Sequence, residues 1–277
     1  MRLLLALFVV MLVGCSKPDE KPSVANSDNV IEKELPQQQS VELPPLIEPS
    51  ESPADGILLR LKLVSGTKEN REISGSIRID LDKKKVKPGQ SPSIDSILAI
   101  DYSTEVLESG SGKMRVRIVS KPIQATTSSG TSSSQSEDFS VVFDELGNPL
   151  ENYSGLVRSA LSAGFIRFPK SRLKLGSSWS LNSEREVPIL GIVKYTEKYT
   201  FRGTIKRSGQ DAWHIEIRAI GSDKLSTKGN YYLNPKNGSL LDAEIYQEIM
   251  TEIPQENGAI PAKISMTARL KPKSGSI

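Results

Sequence analysis

The stretch Leu241 to Leu270, LDAEIYQEIMTEIPQENGAIPAKISMTARL, decides the fold. Leu241, Ala243, Ile245, Ile249 and Ile253 fall on one parity, and Asp242, Glu244, Glu248 and Glu252 on the other. After Asn257-Gly258 the pattern resumes, with Ile264, Met266, Ala268 and Leu270 set against Lys263, Arg269 and Lys271. Alternation with a period of two gives each strand one buried and one wet face, the mark of antiparallel sheet. A turn centred on Asn257-Gly258 predicts Glu252 opposite Lys263, Glu244 opposite Lys271, Ile249 opposite Met266 and Ile245 opposite Leu270. Pro254 and Pro261 open the alternative of a two-residue slip, which keeps the faces and changes the partners. A one-residue slip would bury the charges.

Working outward, the same period recurs. Met114, Val116 and Ile118 alternate with Arg115 and Arg117, and Trp213, Ile215, Ile217 and Ala219 with His214, Glu216 and Arg218. Arg60-Leu61-Lys62-Leu63 returns as Arg172-Leu173-Lys174-Leu175. Tyr102 and Tyr199 each begin a strand that turns and comes back, and "FDELGNPL" (Phe143 to Leu150) parallels "LNPKNGSL" (Leu233 to Leu240). These correspondences predict a mainly β fold: a duplicated antiparallel meander, with repeats at 57–153 and 170–271, forming a curved sheet, half-barrel or sandwich. The first repeat is the longer, through the "KKKVKPGQSPS" connection and the Ser-rich insert Thr126 to Ser136, which reads as a flexible loop. In "YSGLVRSALSAGFIRFP", Leu156, Val157, Ala160, Leu161 and Phe165 follow helical spacing behind Ser154 as N-cap, which predicts one central helix near 154–165.

Before residue 56 the composition changes. Met1-Arg2 and the ten apolar residues Leu3 to Leu12 are too short to span a bilayer, which takes about 20 residues. A basic start, a short apolar run and small residues read as a signal peptide over 1–14. Leu12-Val13-Gly14-Cys15 resembles the lipobox of bacterial lipoproteins. The resemblance implies cleavage before Cys15, lipidation of its thiol and acylation of the new amino end. Two or more acyl chains hold a protein stably on a membrane. Ser16, where Asp would retain a lipoprotein at the inner membrane, resembles the pattern sorted to the outer membrane. Cys15 is the only cysteine, so the fold has no disulfide and rests on its core.

Residues 15–55 read as the lipidated cysteine and a disordered tether. Ser16 to Asp55 holds seven prolines, three Lys and nine Asp or Glu, with no aromatic residue. Such a coil averages about 35 Å end to end. The chain carries +3 overall, and setting Arg2 and the tether aside leaves +8 on 56–277. That balance favours acidic partners, anionic head groups among them. No nucleic-acid-binding motif is present, and nucleic acid is not an expected partner.

The search for chemistry is short. His214 is the only histidine and alternation turns it outward, as a surface strand residue. There is no second histidine or thiol for a zinc site and no G-x-S-x-G elbow for a Ser-His-Asp triad. "GSGK" (Gly110 to Lys113) is a hairpin turn, since Met114 stands where a phosphate loop needs Ser or Thr. Ser65-Lys68 and Ser171-Lys174 match S-x-x-K without a K-T-G partner. Asp144 with Glu145, and Asp80 with Asp82, lack a calcium-loop pattern, and Asp144 reads as a turn former. Trp213 is a core candidate, and too few aromatics stand out for a sugar-stacking platform. Lys83-Lys84-Lys85 with Lys87 is a basic run able to touch anionic head groups at about 1 kcal/mol per residue.

Phe168-Pro169 followed by Leu173 to Trp179, "LKLGSSW", resembles β-rich secreted bacterial lipoproteins with a duplicated meander, in which this element opens the second meander. The resemblance spans 57–271 and implies a fold and a location without an activity. The expectation is a membrane-anchored cell-envelope lipoprotein at the outer membrane, displayed to either the periplasm or the surface, with a role in binding or scaffolding an envelope protein or apolar ligand, no enzymatic activity, no cofactor and no metal. The alternatives are an apolar-ligand or lipid carrier of the half-barrel type seen in lipoprotein-localisation factors, and an enzyme of another kind.

Overall fold

The computed structural model describes residues 55–273, apart from 87–88, 90, 123, 128–129, 134, 152–165, 188–190, 208, 222–224 and 256–257. Among the described residues twelve strands follow in chain order: β1 (Lys68–Leu81), β2 (Ser93–Gly110), β3 (Lys113–Ser120), β4 (Gln124–Thr127), β5 (Gly130–Ser133) and β6 (Asp138–Asp144). The second half supplies β7 (Ser178–Val187), β8 (Gly191–Arg207), β9 (Gln210–Gly221), β10 (Leu225–Leu233), β11 (Leu240–Gln255) and β12 (Gly258–Pro272). All belong to one antiparallel sheet. The helix expected near 154–165 is not borne out: no helix occurs among the described residues, and 154–165 lies outside them.

The second half runs as an unbroken meander, β7 to β12, and β12 then pairs with β1, so the last strand lies beside the first. Beyond β2 the edge divides, β3 and then β6 continuing from Tyr102–Gly110 while the β4–β5 hairpin lies along Ser96–Ala99. The sheet is not closed, with β7 at one end and β6 and β5 at the other. Ten strands about 4.8 Å apart would spread over roughly 43 Å if flat. Yet Val141 and Phe143 of β6 share one buried cluster with Tyr199 and Phe201 of β8 and with Leu59, Phe168 and Leu173. The sheet therefore curls around irregular segments of its own chain.

Those segments, 57–63 and 166–173, are fixed by backbone hydrogen bonds. Ile57 and Leu173 exchange N–H to O=C bonds of 2.8 Å in both directions. Leu61 N–H donates to Glu145 O (2.8 Å), Lys62 N–H to Asn237 O (2.9 Å) and Phe168 N–H to Leu146 O (2.7 Å). The first arginine of each Arg-Leu-Lys-Leu tetrapeptide reaches the segment that carries the other: Arg172 Nη1 donates to Gly56 O (3.1 Å) and Arg60 Nη1 to Pro169 O (3.0 Å). The halves share further devices. Gly66 N–H donates to Val106 O (2.7 Å) as Gly176 N–H does to Phe201 O (2.9 Å), and a bulge follows both Val106 and Phe201.

The quoted hairpin keeps its faces but takes the slipped register. Ile249 faces Ile264 and Glu244 faces Arg269, because the turn closes between Gln255 and Gly258, where Gly258 adopts φ +122°. Lys271 pairs instead with Glu72 across β1 (3.0 Å). Leu241 departs from the expected face. A bulge opposite Tyr232 and Leu233 sets it beside Tyr232, Ile205 and Ala212, away from Leu240 and Ala243. Much of the described part of the Ser-rich insert is strand, not loop: Ala125 to Thr127 pair with Ser96 to Leu98, and the return strand Gly130–Ser133 pairs with them on the other side. β-Branched threonine suits such an edge. Tyr102 and Tyr199 lie inside longer strands that begin at Ser93 and Gly191.

Candidate functional site

On β1 the positions Ile73, Ile77, Ile79 and Leu81 turn to the hollow of the sheet. The same parity carried back meets Arg71 and Glu69. Arg71 sits opposite Tyr102 on β2 and Pro272 on β12 and is 7% exposed. Its Nε donates to Glu69 Oε2 (3.1 Å), and its Nη2 donates to the same oxygen and to Leu240 O (2.7 Å). Nη1 is buried with no protein acceptor. A buried donor left unmatched costs about 1–3 kcal/mol, more on a charged group. Arg71, Glu69 and Tyr102 wall a cavity of about 40 Å³ whose other sides include Leu61, Leu63, Val106 and Leu240. Burial pushes the Tyr102 phenol above its usual pKa, with Arg71 opposing and Glu69 reinforcing, so its hydroxyl is a donor at neutral pH. Sequence reading passed over this arginine; extending the alternation of β1 by one step was the signal that points to it.

On the opposite face, His214 corrects its expectation. It does turn away from Ile215, but it is buried, at 8% exposed. Its Nε2–H donates to Asn230 Oδ1 (2.8 Å), and its ring stacks on Tyr232, which lies across the ladder, at 5.1 Å between centroids. Arg207 lies over the other aromatic, 4.4 Å from the Tyr232 centroid. Burial lowers the His214 pKa below the usual 6.5, against the Asn230 hydrogen bond that raises it. The sign follows: the unfolded chain binds a proton first, so this contribution is intact above about pH 6.5 and is lost as pH falls toward the lower folded value. Thermal midpoints measured from about pH 7.5 to about 5 are expected to fall more steeply for the natural chain than for His214→Gln. Equal slopes would show that the imidazole stays exposed.

The other sequence-derived positions fall as follows. Cys15 and Lys87 lie outside the described residues. Lys83, Lys84 and Lys85 are exposed on the turn after β1, which Asp82 Oδ1 holds through Lys84 N–H (3.0 Å). Asp144 is a turn former, its Oδ1 accepting from Leu146 N–H (2.9 Å) and Asn148 N–H (2.8 Å). Glu145 pairs with Arg60 and Asp80 with Arg78. Gly110 to Lys113 form the β2–β3 turn, with φ positive at Ser111 and Gly112. Ser65 Oγ donates to Leu107 O, and Lys68 pairs with Glu105. Trp213 packs half-buried on the main cluster, and Trp179 stacks on Tyr199 at 5.1 Å while its Nε1–H donates to Arg167 O.

No family model matches the chain, and no curated protein matches it. Among solved structures, a protein described under "Asymmetric conductivity of engineered proteins" superposes with a TM-score of 0.23 at 7% identity, covering 75% of this chain and 100% of that one. A mutant of the Rh. blastica porin gives 0.23 at 8% identity, covering 75% and 100%. An "outer membrane lipoprotein-sorting protein domain" from Vibrio parahaemolyticus gives 0.15 at 8% identity, covering 74% and 87%. Scores this low do not establish a shared fold, and function is read from the residues.

Proposed function

We propose that this chain is a lipid-anchored protein of the bacterial cell envelope, held at the outer membrane through Cys15, whose open sheet binds a partner or ligand without catalysing a reaction. The observation that carries the binding role is Arg71, a buried guanidinium in the hollow of the sheet with one nitrogen unmatched by protein. In folded proteins about nine in ten buried polar groups are paired with protein or bound solvent, so an unmatched one marks a place for a bound molecule. The lipobox-like Leu12-Val13-Gly14-Cys15 supports the anchor, and the exposed Lys83 to Lys85 support a second contact with anionic head groups. A lipid carrier needs about 300–1,000 Å³ of apolar space. Around Leu59 and Phe168 the chain fills its own hollow, which favours binding at a small site over carriage.

The anchor and the absence of catalysis are tested together. Labelled palmitate is expected to enter the natural chain and not Cys15→Ser, and the variant is expected to move from the membrane to the soluble fraction. The purified variant is expected to leave ester, glycoside and peptide libraries intact. An unlabelled natural chain sinks the anchor, and a turnover abolished by a single substitution sinks the non-enzymatic reading.

A further inference from the structure

We infer that the cavity beside Arg71 is a subsite for a carboxylate carried on a short apolar chain. This rests on the binding reading above and names its ligand class. Three observations converge. Arg71 lines the cavity and gives Nε and Nη2 to Glu69 and Leu240 O, while Nη1 has no protein acceptor. Tyr102, a protonated phenol, walls the same cavity and supplies a second donor. A volume of about 40 Å³ exceeds the 10–15 Å³ or so that one water needs and suits a head group of a few atoms.

The charge balance selects among anions. Glu69 sits against Arg71, so the site is close to neutral before anything binds. A phosphate dianion would meet Glu69 with twice the repulsion of a carboxylate. A monoanion can set one oxygen toward the Arg71 guanidinium and the other toward the phenol, in the charge-assisted geometry that strengthens hydrogen bonds. A neutral alcohol would gain less, and a cation would face the guanidinium.

The apolar chain follows from the surroundings. Leu61, Leu63 and Val106 wall the cavity. The residues next in sequence, Val64 and Leu107, are 69% and 39% exposed. They are held near each other, since Ser65 Oγ donates to Leu107 O (2.9 Å) and Ser109 Oγ to Leu63 O (2.6 Å). Inside the cavity the chain of the ligand would lie against Leu61, Leu63 and Val106.

Two sources share this chemistry, a fatty acid and the C-terminal end of an apolar peptide. The test is calorimetric titration of the full-length chain carrying Cys15→Ser with hexanoate, hexanol, hexylamine, and N-acetyl-Leu-Leu as acid and as amide. The acids are expected to bind at least about tenfold more tightly than hexanol, hexylamine or the amide. Arg71→Lys and Tyr102→Phe are each expected to weaken the acids, the first by about tenfold or more and the second by a few-fold, with circular dichroism unchanged. Hexanoate ahead of the peptide acid assigns a fatty acid, and the reverse order assigns a peptide end. The inference falls if hexanol equals hexanoate, if neither acid binds, or if both variants bind as the natural chain does. Palmitate labelling and fractionation of the Cys15 pair do not depend on that outcome, so the two readings fail separately.

Discussion

Gly238→Ala is expected to cost roughly 2–4 kcal/mol, far more than alanine at Gly66. Gly238 closes the turn between β10 and β11 at φ +69°, and its N–H donates to Asn234 O (2.8 Å). A Cβ there would stand 2.3 Å from Arg60 O and 3.0 Å from Arg60 C, atoms of a crossing backbone that has no rotamer to change. That backbone is pinned in turn, Lys62 N–H donating to Asn237 O (2.9 Å). The substitution therefore adds the left-handed strain of a Cβ, about 1 kcal/mol, to an overpacking term of about 1–3 kcal/mol. Gly66 also has positive φ (+84°) but nothing within 4 Å of its Cβ position, so Gly66→Ala carries only the first term, about 1 kcal/mol. Urea midpoints at constant slope measure both. Equal losses at the two glycines would mean that segment 57–63 does not cross the turn, and with it would go the argument that the sheet curls around its own chain.

What was legible in the sequence was what a single strand can show about itself. Ile249, Ile253, Ile264 and Leu270 are buried where alternation puts them, since each strand needs only one apolar face to declare its sheet. The partners were less legible. Register depends on which residues make the turn: Gly258 at φ +122° pairs with Gln255, which moves the centre by one residue from Asn257-Gly258 and every partner by two. Burial on the outer face was hidden for a related reason. His214 is covered by Tyr232 from the neighbouring strand, and Leu241 changes face through a bulge that no periodicity encodes. Ala125 to Thr127 carry no apolar rhythm, yet they are a strand because β2 offers them an unpaired edge. Arg71 sat within reach of the same alternation rule, as the position where an apolar parity meets a charge.

Asp242→Ala is expected to cost about 3 kcal/mol, although the sequence presents Asp242 as one more wet residue of β11. Its carboxylate is 6% exposed and accepts from two arginines: Arg207 Nε at 3.0 Å and Arg269 Nη2 at 2.9 Å. Arg269 Nε adds a third, longer bond at 3.4 Å, Arg207 Nη2 stands 2.8 Å away as an ion pair, and its guanidinium is roofed against Tyr232. Breaking a buried ion pair from one side typically costs about 3–5 kcal/mol, because the remaining charge stays desolvated. Two features hold this case to the low end. Glu244 still takes Arg207 Nη2 at 2.6 Å, and Arg269 is 48% exposed and free to turn toward water. Asp211, on β9, provides the contrast: it pairs with Lys206 at 2.7 Å with side chains 60% and 71% exposed. Asp211→Ala is expected to change stability by about 1 kcal/mol or less, and salt should erase even that. The two variants are compared by urea unfolding at low and at high ionic strength. A loss at Asp242 that is small and vanishes with salt would place the carboxylate in solvent, and would remove the reason for a bulge that turns Leu241 and Asp242 together onto Tyr232.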